Sequence, residues 1–222
     1  MDRPPSQKGT SVLPVVTALK QQPNARQLLP KELWKYLEEP VLVSGWYPER
    51  DYWVLITAVV KTIDPAAVGG DVWRFFAKFS AQRDIGGQEV ETPHGSKSGS
   101  SGVYRTFAAV DASDPERFFR RLTQLWGTYH DTGRLEVVGG IASENIVVLR
   151  LYAFQIPIEG FVRLQGYYLE EYGRLVGIEL TSQVTRSTAD GDSNCEWELR
   201  LGRTAVTEAY VASLPDLFRS PR

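Results

Sequence analysis

From Pro30 to about residue 130 apolar positions recur every three or four residues, and afterwards they mostly alternate with polar ones. "PKELWKYLEEP" (30–40) is bounded by prolines and puts Leu33, Trp34 and Leu37 on one stripe, which predicts a helix. A second helix enters at Pro48 and is closed by Asp64-Pro65, with Trp53, Ile56, Val60 and Ile63 as its apolar side. In "GGDVWRFFAKFSAQRDI" (69–85), Asp71 or the glycine before it caps a third, with Val72, Phe75, Phe76 and Phe79 facing inward. "VYRTFAAVDA" (103–112) reads as helix. So does "SDPERFFRRLTQLWGTYHDTG" (113–133), with Ser113 or Asp114 as cap, Pro115 at the first helical position and Gly133 as terminator.

Beyond Gly133 the period shortens to two. "RLEVVGG" (134–140) and "NIVVLRLYAF" (145–154) are predicted strands, and the second is apolar on both faces, as expected of a central strand covered on both sides. A helix follows from Pro157 to Gly177, with an internal Gly166 that implies close backbone packing. The strands "GIELTSQVTR" (177–186) and "CEWELRLG" (195–202) come next, then a short C-terminal helix or tail. The predicted class is α+β: a helical N-terminal half, then β-β-α-β-β forming a four-stranded antiparallel sheet packed with helices. Residues 1–28 read as a flexible tail whose one apolar patch, "VLPVV" at 12–16, is a short strand or a docking arm. Residues 29–205 read as a single domain with a mobile Gly/Ser loop at 86–102, and 206–222 as the C-terminal helix or tail.

Composition narrows the function classes. The chain of 222 residues has 25 Lys and Arg against 27 Asp and Glu, too even a balance for a general electrostatic grip on nucleic acid or anionic lipid. The N-terminus lacks the apolar segment of a secretory signal, no apolar run is long enough to span a bilayer, and one cysteine makes no internal disulfide. The expected location is the cytoplasm.

That cysteine, Cys195, sits among acidic residues in "ADGDSNCEWELRLG" (189–202). A calcium loop starting at Asp190 needs Gly at its sixth position and Glu at its twelfth; the chain has Cys195 and Leu201 there. A nucleophilic thiolate needs an electropositive setting, and a zinc site needs about four ligands, usually with more cysteines. The reading that fits every position is a half-buried strand in which Cys195, Trp197, Leu199 and Leu201 face inward, after a hairpin turn using Gly191. No metal site is expected.

Two runs carry a resemblance: Gly166, Tyr167, Glu170, Gly173, Gly177 and Ile178, and then Gly191, Asp192, Cys195, Trp197 and Leu199. Together they resemble the 4-vinyl-reductase-type ligand-binding domains, whose superfamily also holds haem nitric-oxide sensors and the small subunits of the TRAPP tethering complex. "GWYPERDYWVLITAV" (45–59) and residues 102–137 are similar to a paralogous family of about this length prominent in myxobacteria. The resemblance spans about residues 30–201. It implies the same helical front half and four-stranded sheet, dimers formed through helices, and in several relatives an apolar pocket. No metal carries over, because the cysteines of the phenol-sensing relatives are missing. No haem carries over either: His130 lies near a helix end without an accompanying propionate motif. No nicotinamide- or flavin-binding glycine motif is present, so no cofactor is expected.

The function read from this is a non-catalytic module that binds a small apolar molecule or a protein partner and signals that state. Trp46, Tyr47, Tyr104, Trp126 and Phe161 flank turns or helix ends near the expected helix–sheet seam and are the candidate ligand-binding residues. The alternative is a scaffold or assembly subunit acting through homodimerisation and protein contacts. An enzyme would need an acid/base or nucleophile pair in a cleft. Glu159, Glu170 and Glu171 are the nearest to one, and they read as a solvated helix face.

Overall fold

The computed structural model describes residues 4–86, 90–91, 97–98 and 113–217. Its centre is an antiparallel sheet of β5 (Arg134–Ile141), β6 (Ile146–Tyr152), β7 (Leu180–Arg186) and β8 (Cys195–Leu201), in the order β5-β6-β8-β7. The doubly apolar strand β6 is central, as its pattern predicts. Register explains the faces: Val147 opposes Leu199, Leu149 opposes Trp197, and Leu151 opposes Cys195, so one face is continuous apolar core. On the other face Arg150 pairs with Glu196 beside Tyr152, and a small cluster of Ile141, Ile146 and Val148 packs with Leu217.

The α-helices among the described residues are α1 (Gly9–Lys20), α2 (Ala25–Leu28), α3 (Lys35–Glu38), α4 (Glu49–Val60), α5 (Val72–Ala81), α6 (Pro115–Tyr129), α7 (Glu159–Val176) and α8 (Ala205–Ser213). Helix α7 lies on the apolar face of the sheet, where the Trp197 indole donates to the carbonyl of Val162 at 3.0 Å. Gly166 is the close approach: a Cβ there would come within 2.6 Å of Ser182 Oγ and 3.4 Å of the Trp197 ring. Caps form where the sequence places them. Asp71 accepts from the backbone N–H groups of Trp73 and Arg74, and Asp114 from that of Arg117.

Three expectations are corrected. Residues 1–28 are not a flexible tail: β1 (Ser6–Lys8) pairs with β2 (Trp46–Pro48), and α1 buries Val12, Val15, Val16 and Leu19 in the main core. Those four positions follow helical spacing, which Pro14 in their midst disguises. The helix expected over 30–40 splits into a 3₁₀ turn, Lys31–Leu33, and the single turn α3, with the Trp34 indole donating back to the carbonyls of Arg26 and Leu29. In the second expected helix Trp53, Ile56 and Ile63 are buried as expected, but Val60 is only half-buried and the buried face of α4 takes in Tyr52, Leu55 and Val59.

Within 86–102 the described residues include a two-rung pairing of β3 (Val90–Glu91) with β4 (Lys97–Ser98), Val90 opposite Ser98 and Glu91 opposite Lys97. Most of the rest of that expected loop, the helix expected over 103–112, and Tyr104 lie outside the described residues. At the C-terminal end, Pro215 accepts from the Gly140 N–H and Leu217 donates to the Gly140 carbonyl, extending the sheet past the edge of β5. Among the described residues, no helix is long and apolar enough to cross a membrane.

Candidate functional site

The N-terminal strand determines where polar groups meet. Paired with β2, it sets its backbone against the start of α4, where the Glu49 N–H donates to the Pro5 carbonyl at 2.9 Å. At the other end of the strand's reach, Gln7 bridges His130, and Ser6 exchanges hydrogen bonds with Asp131. Gln7, Glu49 and His130, distant in sequence, thereby converge and are buried together. The Glu49 carboxylate lies 3.2 Å from His130 Nδ1. With the Gln7 amide oriented to satisfy its neighbours, its nitrogen lies within donating distance of both Glu49 oxygens, at 3.1 and 3.2 Å, and of His130 Nδ1, at 3.0 Å, and its oxygen accepts from Ser11 Oγ at 2.8 Å. The His130 ring stacks on Trp126 with centroids 3.8 Å apart and meets the edge of Phe154.

Gln7, Ser11 and His130 sit in the wall of a partly open cavity of about 420 Å³ bordered by α1, α4, α5, α6 and α7. The remainder of that wall is mainly apolar, with Val15, Ile56, Phe76, Phe79, Leu125 and Leu169 among it. Its volume and character fall within the range of small-molecule sites, about 300–1,000 Å³. Phe75 and Phe76, expected to face inward, are half-buried because they face this space instead of close-packed core.

A second polar group enters from a π-type turn, Gln82–Gly86, that continues α5. Both Nε and Nη2 of Arg83 lie 2.7 Å from Asp84 Oδ1, and the Tyr129 hydroxyl donates to Asp84 Oδ2 at 3.1 Å. Burial on its own would make the Arg83 guanidinium easier to deprotonate; the Asp84 carboxylate outweighs it and holds the charge firmly.

Between the two polar groups stands Tyr52, one turn after Glu49 on the same face of α4. Its ring packs edge-on against Phe161 at 6.1 Å, and the residue is only 7% exposed. Its hydroxyl has no hydrogen-bond partner among the described residues. Burial first, then the neighbouring Glu49 carboxylate, raise its pKa well above the usual tyrosine value, so it stays a protonated donor.

Of the residues expected to bind a ligand, Trp126 and Phe161 lie in this wall. Trp46 and Tyr47 lie on β2 outside it. Lys8 Nζ sits 4.5 Å over the Trp46 ring, and the Tyr47 hydroxyl accepts from the Leu42 N–H at 2.7 Å. Reading the sequence missed Gln7, Glu49, Tyr52, Arg83 and Asp84. The one local signal was the i, i+3 pair Glu49 and Tyr52 in a helix otherwise apolar on that side. Cys195 is a buried member of β8 with its thiol 3.2 Å from Thr188 Oγ1. Burial pushes that thiol's pKa upward, and Gly191 supplies the left-handed turn residue at φ 96°.

No protein-family model and no curated protein matches the chain. Solved structures do. An H-NOX protein from S. oneidensis in the Fe(II)NO ligation state superposes with TM-score 0.50 at 12% identity, covering 88% of this chain and 99% of that one. A mutant of T. Tengcongensis H-NOX gives 0.49 at 11% identity, covering 89% and 99%. An oxygen-binding H-NOX domain related to soluble guanylate cyclases gives 0.46 at 10%, covering 88% and 95%. The likeness is one of fold. It replaces the resemblance to 4-vinyl-reductase-type domains, TRAPP small subunits and the myxobacterial family. The residues behind that resemblance do local work that a helix packed on a sheet requires: Gly166 admits Ser182, Gly177 ends α7, Gly191 makes a turn and Trp197 pins α7.

Proposed function

We propose that the chain is a non-catalytic ligand-binding module that takes a small, mainly apolar molecule into the cavity between α1, α4, α5, α6 and α7 and signals its occupancy. The observation that carries this is the cavity: about 420 Å³, lined by apolar side chains from five helices, with a few buried polar groups placed in its wall. Because those helices are far apart in sequence, a bound molecule contacts all of them at once and stabilises the arrangement that encloses it. Trp126 and Phe161 serve as aromatic wall.

The H-NOX neighbours raise the question of haem, and the residues of this cavity do not fit it. The His130 imidazole is buried, stacked on Trp126 with ring centroids 3.8 Å apart and set against the edge of Phe154. Cys195 is on the sheet, bonded to Thr188. Tyr52 is kept protonated, the opposite of the tyrosinate an iron requires. Arg83, the cation in the described wall that could meet a propionate, is already neutralised by Asp84. The ligand is therefore drawn from smaller molecules.

Native mass spectrometry of the freshly purified chain, set beside its denatured mass, tests the reading together with titration by the apolar dye Nile red. A non-covalent mass excess lost on denaturation, or one-to-one dye binding abolished by Ala18→Phe in the wall, is the expected result. No mass excess, combined with dye binding that neither saturates nor responds to that substitution, would overturn it.

A further inference from the structure

We infer that the cavity selects an uncharged, largely apolar molecule carrying one hydroxyl or carbonyl group, which receives its hydrogen bond from the Tyr52 hydroxyl. This rests on the proposed ligand-binding role and specifies the ligand's chemistry. Tyr52 is a nearly buried polar side chain in the cavity wall, and its hydroxyl is unpartnered among the described residues. A polar group left so costs free energy until something enters that can accept from it.

Its polar neighbours decide the charge of what enters. Arg83 is the Lys or Arg side chain among the described residues of the wall, and two of its nitrogens are on Asp84. An incoming carboxylate would lose its hydration, find that cation committed, and meet the Asp84 carboxylate in the wall. An incoming ammonium finds that carboxylate already supplied with donors, Arg83 and Tyr129. A neutral acceptor needs none of these pairs to open. It meets the unsatisfied Tyr52 hydroxyl, while its apolar body lies against the phenylalanine and leucine wall.

The test is calorimetric titration of the whole chain with 1-decanol, decanoate and decylammonium, which share a body and differ in head group. The expected order has 1-decanol tightest, with each ion at least about tenfold weaker. In Tyr52→Phe, 1-decanol should weaken by about fivefold, the loss of one neutral hydrogen bond, and its lead over the ions should shrink by the same factor. Circular dichroism checks that this variant folds. In Asp84→Asn the Arg83 charge is released, and decanoate should tighten at least about tenfold. Equal affinity of an ion and 1-decanol, or no loss of 1-decanol affinity in Tyr52→Phe, would overturn the inference while leaving the cavity reading intact. Failure of Nile red and all three decyl compounds to bind would overturn both.

Discussion

Replacing Tyr52 by Phe removes one oxygen and nothing else, so its effect on the ligand-free protein measures whether that hydroxyl is truly unpaired. The ring keeps its edge-on contact with Phe161 at 6.1 Å and its tilted contact with Trp53 at 5.5 Å, so no cavity forms where the ring was. A buried hydroxyl without a partner costs about 1–3 kcal/mol. The lower end applies here because the side chain borders open space rather than close-packed carbon. Tyr52→Phe should therefore stabilise the chain by about 1 kcal/mol, raising its Tm by about 2–4 °C for a domain of this size. Tyr36→Phe is the matched control. That hydroxyl donates to Asp51 Oδ2 at 2.8 Å, and its loss should cost about 1 kcal/mol. Urea denaturation and scanning calorimetry of the wild type and both variants, freed of any co-purifying molecule, give the comparison. If Tyr52→Phe destabilises as much as Tyr36→Phe does, the Tyr52 hydroxyl has a partner in the folded chain and cannot be waiting for a ligand.

Leu19→Ala in α1, whose side chain is 0% exposed, should cost about 3 kcal/mol by urea denaturation, and a cost under about 1 would mean that α1 is not core. Gly166→Ala gains about 1 kcal/mol of helix propensity but forces a Cβ to 2.6 Å from Ser182 Oγ, at an overpacking cost of about 1–3. The net should be a loss that shrinks in a Ser182→Ala background, which a double-mutant cycle reads directly. Tyr210 is pushed up to about 12, first by burial and then by Glu116. Its folded pKa lies above the unfolded value near 10, so its contribution is complete below about pH 10 and is lost as pH rises towards 12. Stability measured from pH 9 to 12 should fall more steeply in the wild type than in Tyr210→Phe.

Most elements were legible because their signals are local. Asp71 and Asp114 cap the helices that follow them, and the alternation around Val147, Leu149, Trp197 and Leu199 places these side chains on one sheet face. Even the hairpin at Gly191 follows from a few adjacent residues. Helix α1 was not legible, because Pro14 breaks the eye's run through Val12, Val15, Val16 and Leu19 while the helix accommodates it. Nor was the site. Gln7, Glu49 and His130 come from a strand, a helix start and a helix end that only the pairing of β1 with β2 and His130 brings together. Trp126 and Phe161 stood out as large aromatics at helix ends, yet the same reasoning chose Trp46 and Tyr47, which hold the loop before β2. Aromatic size alone does not distinguish wall from buttress.

Three departures from what stability would choose meet at one place. Helix α5 turns two phenylalanines, Phe75 and Phe76, towards open space, although its amphipathic pattern could have buried them fully. The same helix then loosens into a π-type turn that sets Arg83 and Asp84 in the wall. Across from them, Tyr52 keeps a hydroxyl where phenylalanine would pack as well at lower cost. In the capped helices and the sheet register, by contrast, local preference and packing agree. Disagreement gathered at the border of a single cavity is the pattern expected where function rather than stability selects the side chains. A cavity kept only by loose packing would give no reason for a paired cation, a paired imidazole and an unpaired hydroxyl to border it together.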